Sequence, residues 1–166
     1  ILIPDTLDTE DAQKNVRVFR DTQYYSVQEQ FLNLSRGHAF DLTPYDETIL
    51  MDVDYFVLND SLNAVWGCAE DVLINKSATS LMHQSLQGTE FRLNPYGIRM
   101  YWATLIYFKK NEKAKLLFDL VEHVRELWNY YKHVYDFAGG LYRNDFSFSI
   151  AIHMLNGFSS DGDYVK

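Results

Sequence analysis

One cysteine, three prolines and no apolar run approaching the ~20 residues that cross a bilayer leave this 166-residue chain without covalent staples or a membrane span. Cys68 alone cannot form an internal bridge, which excludes a disulfide-dense secreted scaffold. Positive charge is also scarce: 15 Lys and Arg stand against 23 Asp and Glu, a formal net charge of −8. A protein that gains affinity for nucleic acid by neutralising phosphates needs a cationic face, so the charge argues against that class and leaves room only for a small local basic site. The first residues, "ILIPDTLDTEDAQ", are too acidic for a secretory signal, and the expectation is a soluble, cytoplasmic protein. Without such a signal the Asn-x-Ser sequons at Asn33, Asn59 and Asn75 carry no weight as glycosylation sites. What is present is ordinary for a globular chain: 47% hydrophobic and 23% charged residues. The length predicts one domain over 1–166 that buries roughly two thirds of its unfolded surface. The aromatic content, 16%, defaults to core and interface filling.

Along the chain, Val16 and Val18 in "NVRVF" alternate as a short strand does. From Ser26 the spacing of Val27, Phe31, Leu34 and His38 predicts one face of a helix that Gly37 ends. Pro44 and Tyr45 turn the chain into an apolar run, Thr48 to Met51, that reads as a strand covered on both faces of a parallel sheet. Asn59, Asp60 and Ser61 are candidate caps of a short helix containing Leu62 and Val65. Between Glu70 and Arg99 small polar residues predict loops with one or two short elements. "YWATLIYF", Tyr101 to Phe108, is rich in β-formers and predicts another buried strand. The clearest helix follows, with Leu117, Leu120, Val121, Val124, Leu127, Trp128 and Tyr131 on one stripe and Asp119, Glu122 and Glu126 facing solvent. "AGG" at 138–140 punctuates it, and "NDFSFSIAIHML" predicts a final helix capped by Asn144 or Asp145. Strands alternating with helices predict an α/β fold.

The stretch "TILMDVDYFVL" sets Asp52 and Asp54 where the apolar run ends. Ligands of open α/β sheets bind at the carboxyl ends of strands, which makes Asp-x-Asp a candidate metal or phosphate site. Two aspartates one residue apart point to opposite faces of an extended chain, so joint use requires a turn just after Met51. Given that turn they offer hard oxygen ligands to Mn²⁺ or Mg²⁺, ions that complete their shells with water and substrate phosphates.

In its wider context, "LSRGHAFDLTPYDETILMDVDYFVLNDSL" resembles the donor-binding core of GT-A glycosyltransferases, especially the glycogenin-like retaining group. The matching residues are Arg36, Phe40, Leu42-Thr43-Pro44-Tyr45, the run Thr48 to Met51, Asp52-Val53-Asp54, and Phe56-Val57-Leu58. "YRNDFSFSIAIH" sits where that group has an acidic turn opening a helix. The resemblance covers roughly Arg17 to His153. It implies a GT-A-like, Rossmann-like fold with a mixed, mostly parallel sheet flanked by helices. It also implies a nucleotide-sugar donor such as a UDP-sugar and a glycan, protein or small-molecule acceptor. Asp52 and Asp54 would hold Mn²⁺ or Mg²⁺ against the diphosphate, with Arg36 near the nucleotide or phosphates and Asp145 beside the transferred sugar as the catalytic carboxylate. Three departures accompany the match. Tyr101-Trp102-Ala103 replaces an Asn-Ser-Gly, and a later His-bearing metal-ligand segment is absent, leaving His153 as the candidate substitute. The usual first strand is not legible before Val16, so the expectation is a domain lacking both segments.

Two other classes fit parts of the pattern. A haloacid-dehalogenase-like phosphatase also runs a strand into Asp-x-Asp, with Asp52 as nucleophile and Asp54 as acid/base, and "SSDGDYVK" imitates its last acidic loop. A non-catalytic, transferase-like interaction module would use the aromatic surface to hold a partner.

Overall fold

Val16 and Val18 lie on extended backbone: in the computed structural model Val16–Thr22 (β1) pairs antiparallel with Tyr25–Gln30 (β2). The structure describes residues 16–22, 25–30, 34–76, 92, 97–137, 142–159, 164 and 165, β1 and β2 by their backbone alone. The second strand corrects the helix expected from Ser26. That spacing rested on few residues, whereas the hairpin register sets Phe19 opposite Val27 and Arg17 opposite Glu29. Phe31 lies outside the described residues. Leu34 is buried, and Ser35–His38 forms only a 3-10 turn that runs into one turn of helix, Ala39–Leu42 (α1).

Glu47–Met51 (β3), Val72–Asn75 (β4) and Trp102–Lys109 (β5) form a second sheet in the order β3-β5-β4. Both pairings are antiparallel, which corrects the mostly parallel sheet for the described strands. An apolar run reports burial and not direction, so the sequence could not distinguish the two. β3 and β4 run the same way on either side of the reversed β5. β3 is half-buried at every position because it is an outer strand, not one covered on both sides. Between β3 and β4, Ser61–Val65 is a 3-10 turn whose start is fixed by the Ser61 N–H donating to Asn59 Oδ1 at 3.0 Å. The "loops" of 70–99 contain β4, and 77–91 and 93–96 lie outside the described residues.

Helices cover one face of this sheet. Glu112–Glu126 (α2) begins with Asn111 Oδ1 accepting from the Ala114 N–H at 3.0 Å, and Trp128–Val134 (α3) continues it after a break at Leu127. Leu117, Val121 and Val124 are fully buried, and Trp128 and Tyr131 nearly so. Leu120 is half-buried and Leu127 is 46% exposed. At 3.6 residues per turn these two lie roughly 60–80° from Leu117, on the edge of the stripe and not its centre. Asp119 and Glu126 face solvent as expected, but Glu122 turns inward against the 3-10 turn of Ser35–His38. The last helix, Asn144–Leu155 (α4), takes Arg143 as its N-cap without a side-chain bond, so neither Asn144 nor Asp145 caps it. Residues 138–140 lie outside the described set. Val72, Ile74, Ile106 and Phe108 of the sheet pack with Leu117, Phe118, Val121, Phe148 and Ile152 of α2 and α4. Among the described residues no helix is long and apolar enough to cross a membrane.

Candidate functional site

β3 ends at Met51 and the chain turns at once. The Tyr55 N–H donates to Asp52 O at 3.2 Å across Val53 and Asp54, which is the turn that joint use of the two aspartates requires. The turn is tied to β5: the Asp52 N–H donates to Thr104 O at 3.0 Å, and Tyr55 OH meets Thr104 Oγ1 at 3.0 Å. Asp52 is 27% exposed in its side chain and Asp54 lies open to solvent.

Arg36 is 7% exposed and spans the gap between this turn and β5, donating from Nη1 to Ala103 O and from Nη2 to Asp52 Oδ1. Its own turn is seated tightly on α2. A Cβ on Gly37 would lie 1.8 Å from Glu122 Oε1, so only glycine fits while Glu122 keeps its place. Glu122 is held there because its Oε2 accepts from Arg125 Nε at 2.8 Å and meets His38 Nε2 at 3.0 Å. Burial pulls the Arg36 pKa below the usual arginine value, against the opposing pull of Asp145, Tyr142, Tyr55 and Asp54. With arginine's intrinsic basicity and Asp52 in direct contact, the guanidinium stays charged at neutral pH.

Ala103 is the hub. Its carbonyl accepts from Arg36, and its N–H donates to Asp145 Oδ1 at 2.9 Å. Asp145 reaches it from the first turn of α4, and one turn later Ser149 Oγ accepts from the Tyr101 N–H at 2.8 Å. Four helical residues rise ~6 Å and two strand residues ~6.8 Å, so the i, i+4 pair on α4 matches alternate residues of β5. Asp145 Oδ2 accepts from Arg143 Nη2 at 2.5 Å, and the Arg143 guanidinium lies 5.2 Å from the Phe146 ring centre. Arg143 Nε is buried and has no hydrogen-bond partner among the described residues.

Arg36, Asp52 and Asp145, three residues singled out from sequence, therefore meet around one backbone unit, with Asp54 on the adjoining turn. His153 does not join them. It lies two turns further along α4 than Asp145, ~12 Å by helical rise. There its Nδ1 meets Tyr135 OH at 2.9 Å and Phe158 packs edge-on against the ring. Burial lowers its pKa. Among the described residues no three His, Cys, Asp or Glu side chains group to hold a metal ion. Two carboxylates would suit only a hard cation that completes its shell with water and phosphate. Asp52 Oδ2 and Asp54 would be its protein ligands.

Sequence reasoning missed Arg143, Thr104, Tyr55 and the backbone of Ala103. Arg143 had a signal, standing two residues before Asp145 at the mouth of a helix. The other three had none, because their role depends on which strand lies beside the turn. Tyr101, in place of an asparagine, is a core residue at 3% exposure. Comparison with protein-family models, with curated proteins and with solved structures gave no match to this chain.

Proposed function

We propose that the chain binds a nucleotide-sugar donor and transfers its sugar to a glycan, protein or small-molecule acceptor. The observation that carries this reading is Arg36 bridging Asp52 and the Ala103 carbonyl while Asp145 accepts from the Ala103 N–H, with Asp54 on the turn beside them. Arg36 orients Asp52 and adds positive charge next to the phosphates. Asp145 is fixed by the Ala103 N–H and Arg143, and its remaining lone pairs face the sugar. The buried, unpartnered Arg143 Nε is a spare donor for an anionic ligand. A divalent ion held by Asp52 and Asp54 would neutralise the leaving diphosphate.

A thermal-shift panel tests the reading, since a ligand that binds only the folded state raises the midpoint by mass action. UDP with Mn²⁺ should raise it more than UDP alone, and uridine should have little effect. Turnover of a phosphomonoester with an aspartyl-phosphate at Asp52 would identify the phosphatase class instead. No shift with any nucleotide would favour the non-catalytic module.

A further inference from the structure

Among the described residues no strand pairs with the outer edge of β3. Hydrogen bonds at its two ends, from the Lys110 N–H to Asp46 O at 2.7 Å and from the Asp52 N–H to Thr104 O at 3.0 Å, fix which residues face β5. In an antiparallel ladder those residues alternate, so Asp46, Thr48, Leu50 and Asp52 turn their backbone toward β5 while Glu47, Ile49 and Met51 turn theirs outward. Among the described residues none of these outward N–H and C=O groups has a partner. Proteins usually protect such an edge with a bulge, a proline, a lysine or a very short strand. The other outer strand, β4, has four residues and an irregular register at Ile74/Asn75. β3 has an unbroken register and no proline or lysine, and its one charged side chain is turned aside, with Glu47 Oε2 accepting from the Gly67 N–H and Tyr107 OH at 2.9 Å each.

A groove of about 340 Å³ runs beside this edge, lined in part by Leu42, Tyr45, Ile49, Met51 and Trp66. Leu42, Tyr45 and Trp66 are exposed, and the segment leaving β3 also exposes Val53, Phe56 and Leu58. Acids outnumber bases around it: Asp41, Asp46 and Asp54 are exposed and form no ion pair among the described residues, and Lys110, which donates to Thr43 O at 2.5 Å, is a cation beside them. A second copy of this chain would meet this rim with the same acids: a two-fold pairing about Ile49 sets Asp46 opposite Asp52 of the other copy, and like charges directly opposite destabilise a ladder. We propose that the free edge of β3 binds an extended peptide of alternating basic and apolar residues by strand addition, the apolar side chains entering the groove and the basic ones meeting Asp41, Asp46 and Asp54. This does not depend on the nucleotide-sugar reading.

The test is fluorescence anisotropy of a labelled, alternating Lys-Val peptide of about seven residues, long enough to span β3. Two control peptides accompany it: one N-methylated on alternate residues, which removes the ladder donors, and one with Glu in place of Lys. Saturable binding of the Lys-Val peptide is expected, weakened about tenfold or more in each control. Amides of Glu47, Ile49 and Met51 should exchange rapidly in the free protein and become protected on binding. Ile49→Pro removes one outward donor and leaves the ladder to β5 intact, so it should lose binding with an unchanged far-UV spectrum. Trp66→Ala supplies the same test from the groove should the proline variant fail to fold. Equal binding of the N-methylated or Glu peptide would overturn the proposal. So would protection of the three amides in the free protein, which would mean that the chain covers its own edge, or a dimer that Ile49→Pro dissolves.

Discussion

The two faces of the β3-β5-β4 sheet differ in how they are closed. On the helical face Val72, Ile106, Phe108, Leu117, Phe118 and Phe148 are each at most 2% exposed. Three phenyl rings interlock there, Phe108 with Phe118 at 4.8 Å between centroids and Phe118 with Phe148 at 5.6 Å and 89°. On the opposite face Ile49, Leu73, Leu105 and Tyr107 lie, among the described residues, against the short turn of Leu62 and Val65 and the edge of Trp66, beside a groove of about 300 Å³. The helical face holds the packed core, and the described residues cover the other face only in part. The polar cluster sits near the start of β5, at Ala103 and Thr104, where the packed layer gives way to the turn after β3.

The comparison fails most visibly if Phe108→Ala and Leu105→Ala cost the same. Phe108→Ala should destabilise by ~3–5 kcal/mol and Leu105→Ala by roughly 1–2 kcal/mol, read from denaturant midpoints. Within α2 the same logic separates Leu117→Ala, at ~2–5 kcal/mol, from Leu120→Ala, which should cost less because Leu120 lies at the stripe's edge. Arg36→Ala removes the donor to Ala103 O and the partner of Asp52, and should cost ~1–3 kcal/mol. It should also weaken UDP binding more than uridine binding; equal losses for both would remove the phosphate role. Asp145→Asn preserves an oxygen for the Ala103 N–H, so the fold should survive while sugar transfer falls and UDP affinity is largely kept.

The smallest effect concerns pH. Burial depresses the His153 pKa in the folded state, so below the unfolded value of ~6.5 the unfolded chain binds a proton that the folded one resists. Stability should therefore decline as pH falls from ~6.5, and His153→Asn should flatten that slope. A steeper slope in the variant would place His153 in an environment that favours its charge.

Periodicity made the helical face legible. Leu117, Val121, Val124 and Trp128 fall on one stripe because a buried helix face must repeat every 3.6 residues. Ser26 to His38 failed for the opposite reason: its spacing imitates a helix, but β2 gains its hydrogen bonds from β1, a non-local pairing that local spacing does not encode. The direction of β5 was equally hidden, since an apolar strand reads the same in both directions. For the site, Asp52 and Asp54 stood out because they follow the end of an apolar strand, where ligands of open α/β sheets bind. Arg36 and Asp145 came from a resemblance, and their meeting at Ala103 required three separate segments to be brought together.

Calorimetric titration of UDP in the presence of Mn²⁺ into the wild type, Asp52→Asn, Asp54→Asn and the double variant reads out a metal-bridged diphosphate site. Mn²⁺-dependent binding to the wild type and loss in both single variants are expected, with the double variant no worse than either because the two carboxylates serve one ion. Metal-independent binding of equal strength in all of them would contradict such a site.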